Sequence, residues 1–99
     1  MPLSYVPLFV LRAIATGHRF GFDIMEATSL PSGTVYPALR RLEARGLVAS
    51  SWESDQAAQQ ASRPRRRNYS LTRAGRAALA EGETKYYAVS KLFAKRVRP

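Results

Sequence analysis

Pro31-Ser32-Gly33-Thr34-Val35-Tyr36-Pro37-Ala38-Leu39-Arg40-Arg41-Leu42-Glu43-Ala44-Arg45-Gly46 is the stretch on which the fold turns. Val35, Ala38, Leu39 and Leu42 recur at helical spacing and share one face, while Tyr36, Arg40, Arg41 and Ala44 fall on the rest of the surface. The spacing predicts a helix over residues 32–45, closed by Gly46. Its start falls within Ser32 to Thr34. A Thr34 cap would put Pro37 at the third helical position, where the backbone N–H has no partner to lose.

Upstream, residues 3–16 are rich in Val, Leu, Phe, Ala and Ile, with Pro7 tolerable in a first helical turn and Gly17 ending the segment. Residues 20–28 place Phe20, Ile24 and Ala27 on one helical face before the turn Ser29-Leu30-Pro31. Downstream, residues 47–53 and 66–71 are short candidate strands. Residues 54–63 between them lack bulky apolar residues and period, which predicts a mobile hairpin tip. From Thr72 onward, residues 73–98 contain no proline, and Leu79, Gly82, Tyr86, Val89, Phe93 and Val97 recur every three or four positions. Three helices, a hairpin and a long helix in that order spell a mainly α fold with a small β-hairpin wing. This is a winged helix-turn-helix over residues 1–72 followed by a C-terminal dimerisation helix over residues 73–99.

The chain has 99 residues, 45% of them hydrophobic, and no window apolar enough to span a membrane, which predicts one soluble domain. The opening Met1-Pro2-Leu3-Ser4-Tyr5 has no basic region of the kind that starts a secretory signal, and cysteine is absent. Both suit a cytoplasmic protein. Sixteen basic against seven acidic residues leave a net charge of +9, which attracts polyanions of any kind. The excess is greatest in residues 73–99, with seven basic against two acidic residues. An enzyme is not indicated: the chain offers no Gly-rich phosphate loop, no nucleophile beside a histidine and no carboxylate pair. His18, the single histidine, lacks the cysteines and carboxylates of a metal site and reads as a helix-end cation, so no metal or cofactor is expected.

Two motifs at consistent spacing give the chain a family likeness. Residues 31–43 with Gly46-Leu47-Val48, and Arg63-Pro64-Arg65-Arg66-Arg67 with Tyr69, Leu71-Thr72 and Gly75, resemble the helix-turn-helix and wing of the PadR family of bacterial transcriptional regulators. The resemblance runs over residues 3–79. The chain departs from the family pattern at Phe20-Gly21-Phe22, where His-Gly-Tyr is usual, at Ser62, which replaces a glycine, and at Asn68, which replaces an aromatic.

The major groove of duplex DNA admits one helix, whose outer face must offer donors while its inner face packs. Ser32, Gly33, Thr34 and Tyr36 bring hydroxyls and free amides near the phosphates, and Arg40 reaches a base edge or a second phosphate. In the wing, Arg63, Arg65, Arg66 and Arg67 crowd one segment; Arg65 and Arg67 would share one strand face with Arg66 on the other. Arg41 and Arg45 read as solvated or paired with acids such as Glu43. Trp52 and Tyr69 are expected to pack in the core beneath the wing. The stripe Leu79, Tyr86, Val89, Phe93 and Val97 exceeds what one small domain can cover and predicts a homodimer, with the alternative that the helix folds back on Leu3, Phe9 and Ile14 of its own chain. Lys85, Lys91, Lys95, Arg96 and Arg98 are its solvated face.

The expected function is sequence-specific binding of double-stranded DNA at a palindromic operator by a dimer whose recognition helices lie about 34 Å apart. The resemblance further implies repression and a small aromatic effector held between C-terminal helices, with Tyr86, Tyr87 and Phe93 as contacts. The rival reading is a winged-helix module that binds protein or structured RNA, since this fold hosts several tasks and a basic surface suits them.

Overall fold

A computed structural model describes residues 3–97, and the side chains of residues 3–92. The order of elements is α1 (Tyr5–Ala15), α2 (Gly21–Thr28), α3 (Ser32–Ala44), β1 (Val48–Trp52), α4 (Asp55–Gln60), β2 (Arg67–Leu71) and α5 (Arg73–Val97). Pro7 sits in the first turn of α1, and Leu8, Val10, Leu11, Ala13 and Ile14 are buried. In α3 the predicted face of Val35, Ala38, Leu39 and Leu42 is buried against α1 and α2. Leu39 and Leu42 are each 1% exposed. Truncating leucines so placed to alanine costs about 2–5 kcal/mol, a large part of a small domain's stability.

Helix α3 begins at Ser32, the first residue of the expected range, and its cap is Pro31 rather than Thr34: the Thr34 and Val35 N–H groups both donate to the Pro31 carbonyl at 2.9 and 3.0 Å. Pro37 therefore stands sixth in the helix, where its ring leaves the Gly33 carbonyl without the usual donor. In α2 the face toward the core is Gly21, Ile24, Met25 and Thr28, one position out of phase with the predicted stripe, and Ala27 is exposed. Two of those four positions are not bulky apolar residues, so the true stripe is faint in the sequence.

Strands β1 and β2 pair antiparallel from Val48↔Leu71 to Trp52↔Arg67. The hairpin is tied to the helices at the start of α2: Tyr69 N–H donates to the Arg19 carbonyl at 2.8 Å, and Phe20 and Asn68 form a bridge. The segment expected to be a mobile tip contains α4, a helix whose start is capped by the Ser54 hydroxyl, which accepts from Ala57 N–H at 3.1 Å. Ala58 is buried beneath it.

Helix α5 starts on Thr72, whose Oγ1 accepts from Gly75 N–H at 3.0 Å and donates to the Gly46 carbonyl at 2.6 Å. A Cβ at Gly75 would lie 1.9 Å from the Leu47 carbonyl oxygen, so only glycine allows α5 to leave the hairpin this closely. Its first half packs on α1. Leu79 joins the core, Gly82 meets Leu8, and Arg12 pairs with Glu83. Tyr5 and Phe9 of α1 meet the Tyr86 ring edge-to-face at 5.3 and 6.1 Å.

Candidate nucleic-acid interface

Burying one face of α3 leaves its amino-terminal turn and Tyr36–Arg40 edge outward. Ser32, Gly33 and Arg40 are exposed, Thr34 is partly covered, and Tyr36 is 39% exposed. The first N–H groups of a helix have no intrahelical acceptor and carry the positive end of its dipole. Tyr36 is held by a residue that the motif reading passed over. A Cβ at Gly21 would lie 2.3 Å from the Tyr36 hydroxyl oxygen, so the ring lies flush on the first turn of α2.

Of the wing arginines only Arg67 lies in β2, where it shares a face with Tyr69 and, across the hairpin, Trp52. Arg65, just before the strand, joins it there, the Arg65 and Arg67 guanidiniums standing 5.7 and 5.5 Å from the centre of the Trp52 ring. Tyr69 is buried as expected, but Trp52 is 57% exposed and does not belong to the core. Its side of the hairpin is the core side; its position, two residues beyond Ser50, is past the end of the helices that cover Val48 and Tyr69. Arg66 lies 3.6 Å over the centre of the Phe20 ring.

Two carboxylates set the wing's posture: Glu53, which the sequence reading passed over, and Glu43, which it set beside Arg41 and Arg45 but which meets Arg67 instead. Glu53, whose side chain is 13% exposed, receives both terminal nitrogens of Arg63, together with the backbone N–H of Arg66 at 3.3 Å and its guanidinium at 3.4 Å. The Arg63 hydrogen bond, opposed by burial and aided by Arg66, brings the Glu53 carboxyl down from 4.5 to about 2. Arg63 and Arg66 are thus engaged internally, while Arg65 meets the exposed Asp55 of α4 at 3.3 Å. Glu43, at the far end of α3, accepts from Ser50 Oγ at 2.9 and 3.0 Å and faces Arg67 at 3.6 Å; Arg67 Nε donates to the same Ser50 oxygen at 2.8 Å. Glu43 therefore fastens α3 to both strands. An acidic residue facing a run of arginines across a hairpin was the available signal for Glu53. Burial raises the Tyr69 phenol above its usual range, with Arg67 opposing.

Between helix and wing lie two clefts. One of about 510 Å³ is lined by Tyr36, Arg40, Glu43, Ala44, Arg67 and Tyr69. The other, about 420 Å³, shares Tyr36, Arg67 and Tyr69 with the first and lies among Phe20, Phe22, Trp52, Arg65 and Arg66. The predicted helix residues and Arg65 and Arg67 thus gather on one basic surface, with Arg63 and Arg66 behind them as its bracing.

The residues expected at a dimer seam are distributed differently. Leu79 is covered within its own chain, whereas Tyr86 is 42%, Val89 39%, Tyr87 65% and Leu92 56% exposed. Lys91 sits 5.7 Å over the centre of the Tyr87 ring. The side chains of Phe93 and Val97 lie outside the described residues. A third, mostly apolar cleft of about 400 Å³ opens between α1, the end of α3 and α5, lined by Leu3, Tyr5, Leu8, Lys85, Tyr86 and Val89 among others. Among the described residues, no helix is long and apolar enough to cross a membrane, and no three His, Asp or Glu side chains group closely enough to hold a metal ion.

Residues 10–81 match the transcriptional regulator PadR-like family. Among curated proteins no significant match is found. Similar solved structures include a PadR family transcription regulator from Clostridium difficile R20291, 22% identical over 96% of this chain and 100% of that one, with a TM-score of 0.82. Another is BpsR of Bordetella bronchiseptica, whose DNA binding is regulated by 6-hydroxynicotinic acid; it is 26% identical over 98% of this chain and 69% of its own, with a TM-score of 0.77. A PadR-like regulator from Bacillus cereus is 19% identical over 95% and 92%, with a TM-score of 0.78.

Proposed function

The chain belongs to the PadR-like family of transcriptional regulators, and on that premise we propose that it is a repressor that reads a palindromic operator in double-stranded DNA as a homodimer. The observation that carries this reading is the convergence of the open first turn of α3, Tyr36 and Arg40 with Arg65 and Arg67 of the wing on one side of the molecule. The helix inserts in the major groove, where Arg40 meets base edges and Ser32, Gly33, Thr34 and Tyr36 meet phosphate. The wing follows the adjoining backbone. Arg65 and Arg67 exchange Asp55 and Glu43 for phosphate, and Arg63 and Arg66 keep the wing upright through Glu53 and contact DNA only at its edge.

Residues 1–72 carry the DNA contacts and residues 73–99 the pairing of protomers, through the exposed apolar positions Tyr86, Val89 and Leu92 and onward along the helix. A small aromatic effector, held against Tyr86 and Tyr87 near the seam, releases the operator by shifting the two recognition helices out of register. The regulation of BpsR by 6-hydroxynicotinic acid supports an effector of this kind. Such a protein works in the cytoplasm, beside the chromosome.

Replacing Arg65 and Arg67 together by alanine tests the reading. Each lost phosphate contact retains about one counterion, so affinity for every duplex falls and the slope of log affinity against log salt becomes shallower by about two for each bound protomer, about four for the dimer. Equal slopes for the variant and the wild type would remove the wing from the DNA surface.

A further inference from the structure

Resting on the DNA-binding reading above, we infer that Trp52 is itself a DNA-contacting residue, its ring lying against a deoxyribose of the backbone strand whose flanking phosphates are held by Arg65 and Arg67. An indole ring 57% exposed at the outer end of a two-stranded hairpin keeps its apolar face in water unless a ligand covers it. The two guanidiniums at 5.7 and 5.5 Å from its centre, Arg67 directly across the hairpin from Trp52 and Arg65 just before β2, set two cations beside one apolar ring. A sugar–phosphate strand offers the complementary set, an apolar sugar with an anion on either side. Tyr36 of the recognition helix and the exposed Phe22 line the same 420 Å³ cleft as Trp52, so the strand that passes the wing also passes the start of α2 and α3. Arg65 and Arg67, exchanging Asp55 and Glu43 for phosphate, select a polyanion, and Arg66 stays with Glu53. Contact to sugar adds affinity without sequence preference.

Trp52 is the chain's single tryptophan, so its emission reports this site alone. Labelled duplexes carrying the DNA upstream of the protein's own gene, and scrambled versions, are titrated by anisotropy while acrylamide quenching of Trp52 is followed in the wild type. The ring becomes shielded from acrylamide as the duplex saturates. Trp52→Ala weakens all duplexes by about tenfold, and Trp52→Phe restores most of the loss because a flat apolar ring remains. A duplex that saturates in anisotropy while Trp52 stays equally open to acrylamide overturns the inference and leaves the DNA-binding reading standing. Absence of binding to any duplex overturns both. The shielding measurement needs no variant, so a poorly folded Trp52→Ala does not blunt the test.

Discussion

A methyl group on Gly21 would fall 2.3 Å from the hydroxyl oxygen of Tyr36, and the ring would have to leave its seat to admit it. Gly21 opens α2, where alanine is otherwise the better helix former by about 1 kcal/mol. Gly21→Ala therefore separates positioning from stability: duplex affinity falls several-fold, by about 1 kcal/mol of lost contact, while the melting temperature stays near that of the wild type. Anisotropy and a thermal melt on one preparation check both halves. Unaltered affinity would mean that Tyr36 reaches DNA from another position or makes no contact. The outward placement of Tyr36 was legible in the sequence, because four buried residues of α3 fix its phase. The Gly21 contact was not, because it joins two helices by a close approach that leaves no periodic trace. Trp52 was misread for a related reason: a tryptophan on the core side of a strand suggests burial, but each two-residue step carries the hairpin about 7 Å farther out. Val48 and Tyr69 are buried against the helices, and Trp52, farther out, only borders a cleft that it shares with Phe22 and Tyr36.

At the scale of elements, the wing is more constructed than its composition suggested. Six residues are too few for a helix to stand alone in water. Helix α4 persists through the Ser54 cap, the burial of Ala58 and a closing turn in which Arg63 N–H donates to the Ala58 carbonyl at 3.1 Å. That turn puts Ser62 at φ 55°, the conformation that Gly17 and Gly46 supply after α1 and α3. Glu53 then holds Arg63 and Arg66 from below. Its carboxyl is lowered to about 2, so the stability it contributes is complete above its ordinary 4.5 and is lost as the pH falls toward 2. Acidification through that window is expected to loosen the wing, read as a fall in the protection of amides in residues 53–66 relative to their intrinsic exchange rates at each pH. Glu53→Gln removes the pH dependence of this protection and leaves it low at neutral pH. Protection in the wild-type wing that stays constant through the window would show that the clamp does not hold it. The hairpin and its strands were visible in the sequence as β-rich runs; α4 was hidden because alanine and glutamine mark neither a stripe nor a strand.

At the scale of the whole molecule, the first three helices, the hairpin and the long last helix follow from the sequence in that order. The partition of α5 does not. One periodic stripe serves two purposes: Leu79 and Gly82 pack within the chain, while Val89 and Leu92 remain exposed farther along a helix of 25 residues. The molecule measures 56 × 27 × 21 Å, and an apolar strip on an elongated body with a charge of +9 suits a pair of protomers laid along DNA. The decisive measurement is a titration of the purified protein, at physiological salt, against the duplex upstream of its own gene, a scrambled duplex and a structured RNA of equal length, with stoichiometry read by sedimentation. The account predicts a preference of ~10³ or more for the upstream duplex, with two protomers on each site. Equal affinity for the two duplexes and the RNA would contradict it, and would leave a basic winged helix whose partner is RNA or protein.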